Sequence, residues 1–142
     1  MAEDSWQNHT AAAPNISFFR VQPELKNGLL YHYWFNFKLP GIIRKKNITH
    51  LLSETGVISL KARIPQYIVL TDMFFFKKIS QPSSAHIPYL KRFFPKFVNK
   101  VDKVFLPEQF LYELLSQKYP TSQPKLHHIG HGLSASYKPV SF

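Results

Sequence analysis

An α/β sandwich built around a mainly parallel sheet is the fold class this sequence predicts. Three observations carry that reading. Strand-like and helix-like segments alternate along the chain. Tyr67-Ile68-Val69-Leu70 is a continuous apolar run, the pattern of a strand buried on both faces. Ile87, Leu90, Phe93, Phe94, Phe97, Val98 and Val101 recur at helical spacing, with Lys91, Arg92, Lys96 and Lys100 on the opposite side.

The elements follow in order. Residues 1–15 are polar and Ala-rich and read as a loosely ordered lead-in, leaving 16–142 as the folded domain. Residues 16–21 are β-branched and aromatic and predict a first strand. From Tyr31 to Lys46 the chain is aromatic and then basic; Trp34, Phe37, Ile42 and Ile43 can share a helical stripe. Pro40, lacking an N–H, is expected to kink or split that helix. Strands are expected over 48–52 and 67–71, and a Ser/Pro loop follows Phe74, Phe75 and Phe76. Pro88 suits the first turn of the next helix, and Pro95 should bend its middle. After a strand over 103–106, Pro107 near the first helical position and Glu108 at the positive end of the dipole open another helix. Phe110, Leu111, Leu114 and Leu115 form its apolar face, and Lys118 sits in its last turn. A final strand over 125–129 ends in Gly130-His131-Gly132.

Ligands of parallel α/β sheets bind beyond the carboxyl ends of the strands. Here those ends are Ser53 to Gly56, Thr71 to Phe74, Leu106 to Glu108 and Gly130 to Gly132.

Composition narrows the function classes. A length of 142 residues suits one domain, and 44% hydrophobic content argues against disorder. The absence of cysteine excludes disulfides and thiolate metal sites and fits a cytoplasmic protein. No apolar run approaches the ~18 residues of a membrane span, and the start lacks the pattern of a secretory signal. A net charge of +10 attracts phosphate in nucleic acid, lipid or nucleotide. His127, His128 and His131 invite a metal reading, but 127 and 128 point to opposite faces of a strand, so no metal is expected. Neither a Gly-rich phosphate loop nor a nucleophile elbow occurs. Composition and periodicity alone stop at a basic α/β domain with an unidentified site.

The last forty residues add a resemblance. Val101-Asp102-Lys103-Val104, then Phe110, Leu114-Leu115 and Lys118-Tyr119-Pro120, resembles the family-4-type glycosyltransferase segment A-D-x-V, short strand, S-x-F, helix, K-Y-P. Lys125 to Leu133, followed by Tyr137-Lys138-Pro139, is similar to that family's K-I-x-V-I-P-N-G-V and F-x-P. Upstream, residues 68–72 resemble its strand ending in H-D, and residues 46–50 resemble a K-x-x-x-D strand entry. The likeness runs from about Trp34 to Pro139. It departs at Glu108 for the serine, His131 for the asparagine, Ser134 for the acidic residue and Thr71 for the strand-end histidine.

The resemblance implies half of a GT-B fold: a Rossmann-like three-layer sandwich that binds the acceptor, with the C-terminal, donor-binding domain lying outside this chain. It implies transfer of a hexose from a nucleotide-sugar, a co-substrate rather than a cofactor, to a glycan or lipid-linked acceptor. The implied catalytic residue is Asp72. The implied acceptor-side residues are Glu54, Thr55, Gly56, Met73 and Phe74, and Gly130, His131 and Gly132 should border the donor cleft. Glu54 also reads as a solvated loop carboxylate, Gly132 as a plain turn glycine and Asp72 as a turn cap.

Other readings stay open. The charge suits a nucleic-acid-binding α/β module, although no aromatic stacking platform or basic recognition helix is evident and no nucleic-acid partner is expected. A non-catalytic remnant is a third reading. Lys77, Lys78, Lys91, Arg92, Lys96, Lys100 and Lys103 precede or flank a single acid, Asp102, and suggest peripheral attraction to the anionic inner face of a membrane. The alternative is a solvated helix face whose apolar side packs on the sheet.

Overall fold

The computed structural model describes residues 27–71 and 86–130. Helix α1 (Gly28–Tyr33) opens behind Asn27, whose side-chain oxygen accepts the N–H of Leu30 at 2.9 Å. It passes without a break into a π-helical turn, Trp34–Lys38, and then into α2 (Leu39–Lys45). Strands β1 (Leu51–Ser53) and β2 (Gln66–Val69) follow, then α3 (His86–Lys100), β3 (Lys103–Leu106), α4 (Gln109–Lys118), a 3-10 turn over Pro120–Lys125, and β4 (Leu126–His128).

The four strands form one all-parallel sheet in the order β1-β2-β3-β4. This is the α/β, parallel-sheet architecture the sequence predicts. The strands expected over 48–52, 67–71, 103–106 and 125–129 all occur, each displaced by three residues or fewer. The strand expected over 16–21 and the lead-in lie outside the described residues.

Register divides the sheet into two unlike faces. Ile68 pairs with Val104 and Val104 with Leu126, and these three are buried. They pack with Leu90, Phe94, Phe97 and Val98 of α3 and Leu111 and Leu115 of α4 in one core. Both connecting helices therefore cover the same face, as right-handed crossovers between strands taken in sequence require. The opposite face carries Leu52, Tyr67, Val69, Phe105 and His127, none of them buried. The expectation that residues 67–70 are buried on both faces is thus corrected. Among the described residues helices cover one face, so Tyr67 and Val69 remain half-exposed while Ile68 and Leu70 are enclosed.

Pro40 is the second residue of α2, and the irregularity lies just before it. Leu39 donates to the Trp34 carbonyl five residues back, and the wider turn makes room for the proline ring beside the carbonyl of Asn36. The extra residue rotates the expected stripe. Trp34 and Ile43 are buried, but Phe37 and Ile42 are exposed, and Asn36 and Leu39 take inward positions instead. A second, smaller core of Trp34, Leu39, Ile43 and Ala62 results.

Two details of the later helices also differ from expectation. Pro107 precedes the N-cap rather than occupying the first helical position; Glu108 is the N-cap, and its carbonyl accepts the N–H groups of Leu111 and Tyr112. Phe110 is 65% exposed, because Leu111 and Leu115 alone fill the inward positions of α4 and Leu114 sits at the boundary. Helix α3 runs uninterrupted through Pro95.

Candidate functional site

Because all four strands are parallel, their carboxyl ends meet one edge of the sheet. Glu54 and Thr55 follow β1 there, Thr71 lies just past β2, Pro107 and Glu108 follow β3, and Ile129 and Gly130 follow β4. Glu54, Thr55, Thr71 and Glu108 are exposed. Ser53 and Thr55 hold their hydroxyl oxygens 3.4 Å apart. The exposed His128 ring places Nε2 3.2 Å from the Pro107 carbonyl oxygen, which orients the imidazole along the same edge. With strands ~4.8 Å apart, the β1 and β4 ends are separated by roughly 14 Å. Such a row of hydroxyls, carboxylates and an imidazole can hydrogen-bond a polar ligand that lies along the edge.

Two glycines shape the edge. Gly56 has φ +77 and is buried; a β-carbon there would meet Leu70, Phe94 and Leu90 at 3.5–3.7 Å. It turns the chain from β1 into the core, so its contacts are with the fold and not with the exposed edge. Gly130 has φ +64 with open space around it. It stands two residues past β4, in a left-handed conformation that glycine adopts without steric cost.

Among the residues expected at the site, Glu54 and Thr55 sit together after β1, and Gly130 stands at the far end of the same edge. Asp72, Met73, Phe74, His131 and Gly132 lie outside the described residues. His127 and His128 face opposite sides of the sheet, as strand alternation requires: His127 pairs with Phe105, and His128 with Leu106. Among the described residues, no three His, Cys, Asp or Glu side chains come together as a metal site.

A second region escaped sequence reasoning. At the opposite, amino edge of the sheet, a pocket of about 570 Å³ opens between the π turn with α2 and the segment leading into β2. Phe37, Pro40 and Arg44 line one wall; Lys61, Arg63 and Ile64 line the other. Asn36 forms its base. It is buried, donates from Nδ2 to the His32 carbonyl at 2.9 Å, and accepts the Leu60 N–H on Oδ1 at 2.7 Å. The available signal was Pro40, whose conflict with the preceding turn predicts an irregular helix. No local pattern indicates that Arg44 and Arg63, nineteen positions apart, share a pocket.

The chain matches no protein-family model, no curated protein and no solved structure. No helix among the described residues is long and apolar enough to cross a membrane.

Proposed function

We propose that this chain is the acceptor-binding part of a nucleotide-sugar-dependent glycosyltransferase of the GT-B type, and that a glycan or lipid-linked sugar binds along the carboxyl edge of the sheet. The observation that carries the reading is the β3–α4–β4 unit. Its strand, helix and following strand coincide with the stretch in which the sequence resembles family-4-type transferases. Asp102 stands at the entry to β3, and its carboxylate accepts the Gln66 N–H at 2.8 Å. The segment after α4 is anchored as well: Tyr119 packs its ring on Phe94 at 6.0 Å, and Ser122 Oγ donates to Asn99 Oδ1 at 3.1 Å. Lys125 Nζ donates to the Asn99 carbonyl. A parallel sheet whose strands follow one another in chain order is also compatible with one flank of a doubly wound, Rossmann-like sandwich.

In this reading the edge residues orient an acceptor hydroxyl, and Asp72, just past Thr71, accepts its hydrogen bond so that the oxygen faces the donor sugar. The donor and its departing diphosphate are held by a C-terminal domain on the far side of the cleft. Hexose transfer forms a bond from the acceptor oxygen to the sugar carbon and breaks that carbon's bond to the diphosphate oxygen, and the hydroxyl proton leaves with the departing diphosphate.

The test is acceptor binding by the chain itself. Immobilised glycans and lipid-linked sugars should retain a hexose-bearing subset. Asp72→Asn should lower that retention at unchanged thermal midpoint, because Asn caps a turn nearly as well as Asp but carries no charge. Failure to retain any glycan would contradict the proposal. Micromolar binding of UDP- or GDP-sugars to the isolated chain would contradict the division of labour between the domains.

A further inference from the structure

The pocket at the amino edge is unrelated to the chemistry proposed above, since it lies at the other end of the strands. Three of its lining side chains, Arg44, Lys61 and Arg63, are cationic, and none of its nine lining residues is acidic. Among the described residues that line the pocket the charge is therefore uncompensated. Its volume lies within the 300–1,000 Å³ expected of small-molecule sites.

The pocket is also held in shape before any ligand arrives. One wall is fixed to the other by the bond from the Leu60 N–H to Asn36 Oδ1. The turn that carries Lys61 is closed by Ser59, whose Oγ accepts the N–H of Ala62 at 3.0 Å and of Lys61 at 3.3 Å. Ser59 is in turn clasped by the buried Gln66 amide. Lys61 Nζ stands 3.9 Å from the centroid of the Phe37 ring, so an aromatic surface positions the ammonium at the rim. Phe37, Pro40, Ile43 and Ile64 supply apolar area beside the charges.

We infer that this pocket binds a phosphate-bearing small molecule: the phosphate lies among Arg44, Lys61 and Arg63, and the less polar body lies against Phe37 and Pro40. Guanidinium groups suit the geometry because each can donate two parallel hydrogen bonds to phosphate oxygens. Two sources share this chemistry, a free phosphomonoester and the phosphorylated headgroup of a lipid.

The experiment must separate a site from the general attraction of a chain with net charge +10. Calorimetric titration of the full chain with inorganic phosphate, with glucose 1-phosphate and with vesicles of neutral lipid containing a phosphoinositide distinguishes the sources. Each is repeated at low and physiological salt. Arg63→Gln and Lys61→Gln are compared with Lys91→Gln and Lys100→Gln, equal charge changes on the exposed side of α3. The expected result is one saturable site whose affinity falls about tenfold or more in the pocket variants and less than twofold in the α3 variants, at unchanged thermal midpoints. Glucose 1-phosphate should bind more tightly than phosphate alone if the apolar wall contributes, and Phe37→Ala should remove that difference. Equal weakening by all four charge variants, or no saturable binding of any probe at millimolar concentration, would overturn the inference. Glycan retention at the carboxyl edge is unaffected by either outcome, so the two proposals fail independently.

Discussion

The side-chain amide of Gln66 makes two hydrogen bonds to the backbone of Ser59: Oε1 accepts the Ser59 N–H at 2.9 Å, and Nε2 donates to the Ser59 carbonyl at 2.8 Å. Both residues are buried. The amide thus does for residues 57–60, a stretch that crosses the core without being a strand, what a neighbouring strand would otherwise do.

Gln66→Leu should therefore be costly. It keeps the bulk but strands a buried donor and a buried acceptor, which predicts a loss of about 2–4 kcal/mol in chemical denaturation. Gln109→Leu, which removes only an exposed contact with Glu113, should change stability by less than ~0.5 kcal/mol. Similar effects for the two would remove the structural role assigned to Gln66.

Two glycines give opposite expectations. Gly56 is left-handed at φ +77, and an added β-carbon would meet its neighbours at ordinary contact distance, so the cost of Gly56→Ala is in the backbone: about 1–2 kcal/mol. Gly41 lies inside α2 with nothing within 4 Å of the added carbon, and Gly41→Ala should stabilise by about 0.5–1 kcal/mol. Urea denaturation of both variants checks the signs.

Alkaline stability should follow Tyr89. Burial pushes its hydroxyl up to about 12, against a smaller opposite pull from the Asn36 side chain. In the unfolded chain the group ionises near 10. The native state thus keeps its proton where the unfolded state has lost it. The stabilisation is complete below about pH 10 and is lost as pH rises through about 12. Tyr31 and Tyr119, also raised by burial, act in the same direction. Tyr89→Phe removes a buried hydroxyl that lacks a well-formed hydrogen bond, so neutral stability should hold or rise while the alkaline loss becomes shallower. An unchanged pH profile in the variant would assign the alkaline loss to other groups.

The fold was legible where one period dominates. Strand β3 over 103–106 follows directly from its residues, and the apolar stripe of α3 is the face that packs on the sheet. Its basic residues Lys91, Arg92, Lys96 and Lys100 are left in solvent, and the ammonium of Lys96 lies 5.4 Å from the Phe93 ring centroid. Any attraction of α3 to an anionic membrane would therefore be electrostatic, without insertion of its apolar side. Legibility failed at Phe37, Ile42 and Phe110. At the first two, a single extra residue in the π turn shifts every later side chain around the axis, and apolar periodicity contains no sign of it. The carboxyl edge could be anticipated because parallel strands align their ends. The amino-edge pocket could not, because its cations come from segments far apart in sequence that tertiary contacts, among them the bond between Asn36 and Leu60, bring together.

The most direct test of the central claim is amide chemical-shift mapping of the full chain during titration with a hexose-bearing glycan retained in the binding screen. Perturbations should gather at Glu54, Thr55, Thr71 and Gly130, on the carboxyl edge, and leave Lys61 and Arg63 unmoved. Perturbations confined to the amino edge, or spread evenly over the basic surface, would contradict it.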